Sequence, residues 1–264
     1  MSEVAAPPQD RAAERALAVE ARDVSKHYRL GEHLSLSNTI ARIARHPFQR
    51  VERHMFEALH EVSFEVRRGE CFGLVGGNGS GKSTVLHLLS GVTVPTAGEI
   101  VVRGRVMPFL QVGAGFHPEL TGRENIRLFG TIMGIDPEIV NDSIDRVAEF
   151  AEIEEFIDTP NKRYSDGMQA RLSFAIALVF PSHIYVFDEV LAVVDDEFRE
   201  RCLNAIRQLV ADGRTVLFVS HNMEQVEAVC NRAMWLDHGH VRAYGETHEV
   251  AEAYQHAHGA PTDA

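Results

Sequence analysis

Basic charge, cysteine and long apolar runs are all scarce in this sequence, and each shortage closes off a class of function. Lysine and arginine number 26 against 38 aspartates and glutamates, for a formal charge of −12 at pH 7. A protein that coats nucleic acid needs a basic footprint, because neutralised phosphates supply most of its affinity. No nucleic-acid partner is expected. The three cysteines, Cys71, Cys202 and Cys230, lie far apart along the chain with no CxxC pair. Such usage fits a reducing compartment and gives neither a disulfide framework nor a zinc site. The longest apolar stretch, Leu172 to Phe180, falls well short of the roughly 20 residues a spanning helix needs. Met1 to Asp10 is polar and holds Pro7 and Pro8, so it does not read as a signal peptide. If the protein works at a membrane, it works from the side.

What the chain does hold is ample apolar material, 45% of 264 residues, enough for one large domain with a sizeable core. Residues 1–15 read as a disordered lead without period. A strand pattern covers Ala16 to Val24 and ends in Ser25-Lys26-His27-Tyr28. Residues 30–57 change character: Arg42, Arg45, Arg50 and Arg53 face few acids, and Ile40, Ile43 and Ala44 recur at helical spacing until Pro47. This insertion reads as a basic, amphipathic pair of short helices suited to anionic lipid or a membrane partner. A solvated helical cover over neighbouring strands is the competing reading. A second strand pattern, Ala58 to Val66, closes in the turn Arg67 to Glu70.

Three later segments share one design. Cys71–Val75 runs into Gly76–Thr84, His183–Phe187 into Asp188-Glu189, and Thr215–Val219 into Ser220-His221. Short, non-alternating apolar runs suit strands covered on both faces of a parallel sheet. Each delivers polar residues at its carboxyl end, where open α/β sheets bind ligands. Helical patterns at Arg123–Met133, Pro137–Phe150, Asp166–Phe180 and Asp196–Val210 lie between. The expected fold is therefore α/β with a mostly parallel core sheet and a helical subdomain at about residues 120–180. A strand pair, Ala233–Asp237 and Val241–Tyr244, precedes a C-terminal helix from Thr247 to about His256. The main domain is expected over 16–245, with a helix and tail over 246–264.

Gly76 to Ser83 satisfies G-x-x-x-x-G-K-[ST] between a strand and a helix, the context that confirms a P-loop. Gly76, Asn78, Gly79, Gly81, Lys82, Ser83 and Thr84 thus form the candidate nucleotide cradle. Backbone N–H groups wrap the phosphates, Lys82 meets the β- and γ-phosphates, and the Ser83 hydroxyl binds Mg²⁺. Asp188 reads as a carboxylate that holds Mg²⁺ through water and Glu189 as the general base that polarises water. A pair of acids favoured by a helix N-terminus is the alternative. His221 is placed on the same sheet edge to meet the γ-phosphate or the lytic water, or else serves structure alone. In Tyr164-Ser165-Asp166-Gly167-Met168-Gln169-Ala170-Arg171, Ser165 reads as an N-cap, and the small, Gly-containing helix N-terminus also reads as an anion site.

Together these segments resemble the ATP-binding subunit of an ABC transporter, a P-loop NTPase, across about residues 16–245. The resemblance implies an ABC-type nucleotide-binding domain with an antiparallel β subdomain and a helical subdomain. It implies a homodimer in which the signature helix of one subunit, through Ser165 and Gly167, caps ATP held by the P-loop of the other. Asp166 and Met168 depart from the commonest signature, Leu-Ser-Gly-Gly-Gln. Tyr28 matches the aromatic that stacks on adenine, with half-buried packing as the alternative. Gln111 matches the glutamine linking Mg²⁺ to the membrane partner, an ordinary solvated glutamine being the competing reading. Asp195 matches an aspartate that contacts the second subunit, with a plain N-cap as its other reading.

The run Gly113-Ala114-Gly115-Phe116-His117-Pro118-Glu119-Leu120-Thr121-Gly122-Arg123-Glu124-Asn125-Ile126 narrows the resemblance to exporters of bacterial surface polysaccharides. The versions of the signature and of Asp188–Asp195, and the long insertion after Tyr28, are similar to the same group. Membership implies export of O-antigen, capsule, teichoic acid or galactan on a lipid carrier. It implies two copies of an integral-membrane permease as partner and a peripheral place on the cytoplasmic face of a bacterial inner membrane. The lipid-linked glycan would be met only indirectly. Some members carry a C-terminal sugar-binding sandwich; the residues to Ala264 are not expected to form one. Among rivals, an exporter ATPase for another substrate shares all the ATP chemistry. A soluble ATPase of the family acting on ribosomes or DNA usually fuses two cassettes, and a P-loop kinase leaves the signature and His221 unexplained.

Overall fold

The computed structural model describes residues 16–29, 55–109, 115–188 and 194–258. Two sheets organise them. A six-stranded sheet is built from β3 (Cys71–Val75), β5 (Val106–Phe109), β6 (Ile184–Asp188), β7 (Thr215–Ser220), β8 (Arg232–Asp237) and β9 (His240–Glu246), in the order β5-β6-β7-β3-β8-β9. Its pairings are parallel except for the β8–β9 hairpin at one edge. A three-stranded antiparallel sheet, order β2-β1-β4, joins β1 (Leu17–Arg29), β2 (Met55–Arg67) and β4 (Ala97–Val102).

The uninterrupted apolar runs of β3, β6 and β7 are divided by the period-2 alternation of side chains between two cores. Cys71, Val75, Tyr185, Phe187, Val216 and Phe218 point to one face and pack with the helices of residues 122–211. Phe72, Leu74, Ile184, Val186, Leu217 and Val219 point to the other and meet the antiparallel sheet and the helix after the P-loop. Strands buried on both faces leave only their ends to solvent, which is why the polar residues beyond those ends define the site.

Seven α-helices are described: α1 (Lys82–Leu89), α2 (Gly122–Ile132), α3 (Pro137–Ala151), α4 (Asp166–Val179), α5 (Asp196–Ala211), α6 (Met223–Val229) and α7 (Thr247–His258). Helix α2 starts on a capping box, with Thr121 accepting from the Glu124 N–H and Glu124 reaching back. Asp136 and Pro137 start α3. Among the described residues no helix is long and apolar enough to cross a membrane.

The structure moves several expected boundaries. Strand β1 continues through Tyr28 to Arg29, because polar residues on a two-stranded ladder hide the alternation while Tyr28 still pairs with Phe56. Met55, Phe56 and Glu57 belong to β2, not to the helical insertion; residues 30–54 lie outside the described ones. The sequence reading missed β4 and β5, the first with no buried residue to mark an alternation and the second only four residues long. It also missed α6, whose seven residues are too few to display a period.

Asn125 explains part of the Gly113–Ile126 run. It is fully buried, and its amide donates to the carbonyls of His117 (3.1 Å), Leu120 (3.1 Å) and Thr121 (3.0 Å) while accepting from the His117 N–H at 2.7 Å. One side chain thus satisfies the turn that leads into α2. Asn125→Leu keeps the volume and strands these groups, so it is expected to cost about 2–4 kcal/mol of stability, read as a lowered midpoint in urea unfolding.

Candidate nucleotide site

Beyond Val75 the chain turns through Gly76–Gly81 into α1. Gly76 and Ser80 are buried, while Gly77, Asn78 and Gly79 form an exposed tip. Two glycines are fixed by their surroundings. A Cβ on Gly76 would lie 2.2 Å from the Leu236 carbonyl oxygen, and one on Gly81, at φ +109°, would lie 2.8 Å from that of Ala58. The Gly239 N–H donates to the Ser80 carbonyl at 2.8 Å. The loop is therefore clamped between the β8–β9 hairpin and β2, while a Cβ at Gly77 or Gly79 would meet nothing within 4 Å.

Lys82 is buried, and its Nζ donates to the carbonyls of Gly76 (2.8 Å) and Gly77 (3.0 Å). The ammonium thus lies along the loop it is to serve. Helix α1 has no side-chain cap and no acid in its first turn. Helices α2 to α6 are capped by Thr121, Asp136, Ser165, Asp195 and Asn222 in turn. The first-turn N–H groups of α1 and their dipole are thus left for an anion. Ser83 is exposed on that first turn and Thr84 is buried behind it.

Register carries the site across the sheet. Val75 faces Ser220, and Asp188 faces Val219 one residue earlier. Asp188, Ser220-His221 and Gly76 consequently share one sheet edge, with Asp188 two strand spacings, about 10 Å, from the P-loop. His221 is exposed. The turn that presents it is braced by Ser220, whose Oγ accepts from the Asn222 N–H at 3.0 Å and donates to Gln225 Oε1 at 3.0 Å. A cationic loop, an uncapped helix start, a hydroxyl and a half-exposed carboxylate are the groups that a nucleoside triphosphate with Mg²⁺ requires, so the residues present fit ATP and its metal. Gln111 and Glu189 lie outside the described residues.

Tyr28 is half-buried on β1, opposite Phe56. The next part of β2, Ala58 and Leu59, backs directly on Gly81, which sets Tyr28 one strand pair from the P-loop. Lys26 was not foreseen there: its Nζ lies 5.2 Å from the Tyr28 ring centroid and donates to Thr93 Oγ1 and the Val94 carbonyl, each at 2.7 Å.

At the other candidate segment Ser165 caps α4, accepting from the Met168 N–H at 3.2 Å. Ser165 and Asp166 are exposed, and a Cβ on Gly167 would meet only Ser165 Oγ at 3.8 Å. Tyr164 anchors the turn: its hydroxyl donates to the Phe156 carbonyl at 2.8 Å, and burial pushes its pKa up to about 12. Asp195 caps α5 through the Phe198 N–H at 2.9 Å and pairs with Arg171, one turn into α4. The Phe198 amide first, then Arg171, hold the Asp195 carboxyl below the usual aspartate value. Arg171 also pairs with Glu152, which pairs in turn with Arg201. Both guanidiniums lie over the Phe198 ring. This network ties α4 to α5, and ion-pair partners far apart in the chain leave no spacing to read in sequence.

Comparison with known proteins accords with this geometry. Residues 59–192 match the family described as ABC transporter. The chain is 42% identical over 238 residues to the O-antigen export system ATP-binding protein RfbB of Klebsiella pneumoniae, spanning 89% of this chain and 96% of that one. It is 44% identical over 199 residues to the teichoic acids export ATP-binding protein TagH of Listeria innocua, spanning 75% of this chain but 59% of that longer protein. Among solved structures, the dimeric post-hydrolysis state of the ATP-binding cassette MJ0796, bound to ADP and Pi, superposes with a TM-score of 0.71 at 23% identity, over 87% of this chain and 98% of that one. At that identity the likeness speaks to the fold.

Proposed function

The chain belongs to the ABC transporter family, as one of its ATP-binding subunits, and from that premise we propose that it hydrolyses ATP to power export of a lipid-linked polysaccharide. Its place would be the cytoplasmic face of a bacterial inner membrane, as a homodimer docked on two copies of a permease. The near full-length match to an O-antigen export ATP-binding protein is the observation that carries the reading.

The described residues have parts that their positions support, and Gln111 and Glu189 keep the parts read from the sequence. The P-loop amides and Lys82 would bind the β- and γ-phosphates, and the half-buried ring of Tyr28 would stack on adenine. Ser83 and Asp188, with Gln111, would hold Mg²⁺, which when bound offsets charge on the phosphate oxygens. Glu189 would take the proton of the attacking water, and His221 would fix that water and the γ-phosphate. Ser165 accepts from Met168 yet keeps a hydroxyl proton to donate; with the open Gly167 backbone it would close over ATP on a second copy. Asp195, already held by Phe198 and Arg171, would meet that copy as a fixed carboxylate. In a producing cell, deleting the gene should remove surface polysaccharide and accumulate lipid-linked glycan inside. Restoration is expected from the parent sequence and not from Glu189→Gln. Normal surface polysaccharide in the deletion strain would overturn the reading.

Residues 30–54 are proposed to couple ATP turnover to the permease. Because Met55 and Phe56 belong to β2, a clean test replaces residues 33–52 alone with a short Gly/Ser linker. Soluble ATP turnover should stay within a few-fold while export is lost. Loss of folding on replacement favours a structural cover, and unchanged export rules out coupling.

A further inference from the structure

Cys71 and Cys230 are 159 positions apart in sequence, yet their sulfurs stand 3.0 Å apart in the core. Cys71 opens β3 and faces the helical side of the sheet; Cys230 follows directly on α6. The approach has a local cause. A Cβ on Gly73 would lie 2.3 Å from Val226 Cγ1 and 3.5 Å from Cys230 Sγ, so the bare glycine lets α6 lie down on β3. Backbone contacts hold the pair from both sides: the Asn231 N–H donates to the Cys71 carbonyl at 3.3 Å, and Thr247 Oγ1 donates to that of Cys230 at 2.9 Å. Both thiols are free and buried, Cys71 at 1% and Cys230 at 5% exposure. The scatter of cysteines along the chain therefore hides a neighbouring pair in space, and ATP hydrolysis has no use for it.

We propose that Cys71 and Cys230 are an oxidisable dithiol, which hydrogen peroxide converts to an intramolecular disulfide stapling α6 to the start of the P-loop strand. Peroxide is little larger than water and reaches a core sulfur through small openings of the seven-residue α6. The Cys230 sulfur, the more exposed of the two, attacks one peroxide oxygen; the O–O bond breaks, giving a sulfenic acid and one water. The Cys71 sulfur then attacks the sulfenic sulfur, the S–S bond forms as S–O breaks, and a second water leaves. Two thiols lose two electrons and two protons, and one peroxide becomes two waters. Burial keeps thiolate scarce, so the first step is slow; contact between the sulfurs makes the second fast. The sulfurs need to close by only about 1 Å to reach bonding distance.

Cys202 supplies the control. It is as deeply buried, at 0% exposure on α5, and is not part of the pair. Native full-length protein is treated with hydrogen peroxide until the exposed Met55 (51%) is oxidised, then unfolded, alkylated and mapped by mass spectrometry without reductant. The expected product is a linked Cys71–Cys230 peptide, lighter by two hydrogens and reopened by dithiothreitol, with Cys202 alkylated. In Cys71→Ala the reaction should stop at a Cys230 sulfenic acid trapped by dimedone. Cys230→Ala, should Cys71→Ala fail to fold, should give no linked peptide. Cys71 and Cys230 both still alkylated once Met55 is oxidised, or Cys202 cross-linked as often as they are, would overturn the proposal.

Discussion

Lys82→Ala is expected to weaken ATP binding by roughly 10²–10⁴-fold and to remove turnover with it. Two charge-assisted bonds from the ammonium to phosphate oxygens are worth about 1.5–3 kcal/mol each, and about 1.4 kcal/mol is a factor of ten. The lower end of that range is favoured because Lys82 is not idle without ligand: it donates to the carbonyls of Gly76 and Gly77, and gives up part of this on binding. Calorimetric titration with ATP reads the affinity. A thermal melt run beside it separates lost binding from a loosened loop, since the Gly76 carbonyl lies in a buried turn that the ammonium helps to satisfy. ATP affinity in Lys82→Ala equal to the parent's would remove the P-loop from phosphate binding.

Glu189→Gln should do the opposite at the binding step and as much damage at the chemical one. Glu189 follows Asp188 in sequence, and on the proposed reading its carboxylate would be used only when water attacks. A group that acts only in the transition state lowers turnover without changing ground-state affinity. Loss of a general base costs about 10²–10⁴-fold. Phosphate release by Glu189→Gln should fall by that factor while ATP affinity holds. Hydrolysis at the parent rate would take Glu189 out of the role of base.

The legible parts of the fold were those whose local chemistry repeats or terminates sharply. Cys71–Val75, His183–Phe187 and Thr215–Val219 announce themselves as strands covered on both faces because each is a short, non-alternating, largely apolar run that stops at the P-loop glycines or at a polar residue. Ser165 and Asp195 could be read as helix starts, since a side-chain acceptor before an apolar period is a local device. Strand β4 was hidden because Ala97–Glu99 is exposed and Ile100–Val102 half-buried, so no alternation marks it. The Arg171–Asp195 pair and the Cys71–Cys230 contact were illegible for a different reason. Each joins residues whose meeting depends on strand register or helix packing, and a register error of one residue would turn the side chain to the other face. The chemistry of the P-loop edge is local and could be read; what steadies it is not local.

On the proposed reading a closed ATP site needs two copies, because Ser165 and Gly167 would cap nucleotide on the P-loop of another chain. Light scattering of Glu189→Gln at high protein concentration measures this directly. Without nucleotide the particle should have the mass of one chain, 29.4 kDa, or a weak mixture. With Mg²⁺ and ATP it should double, and Gly167→Asp, which sets a carboxylate against the incoming γ-phosphate, should return it to one chain without loss of ATP binding. An unchanged mass for Glu189→Gln with and without ATP would contradict the sandwich.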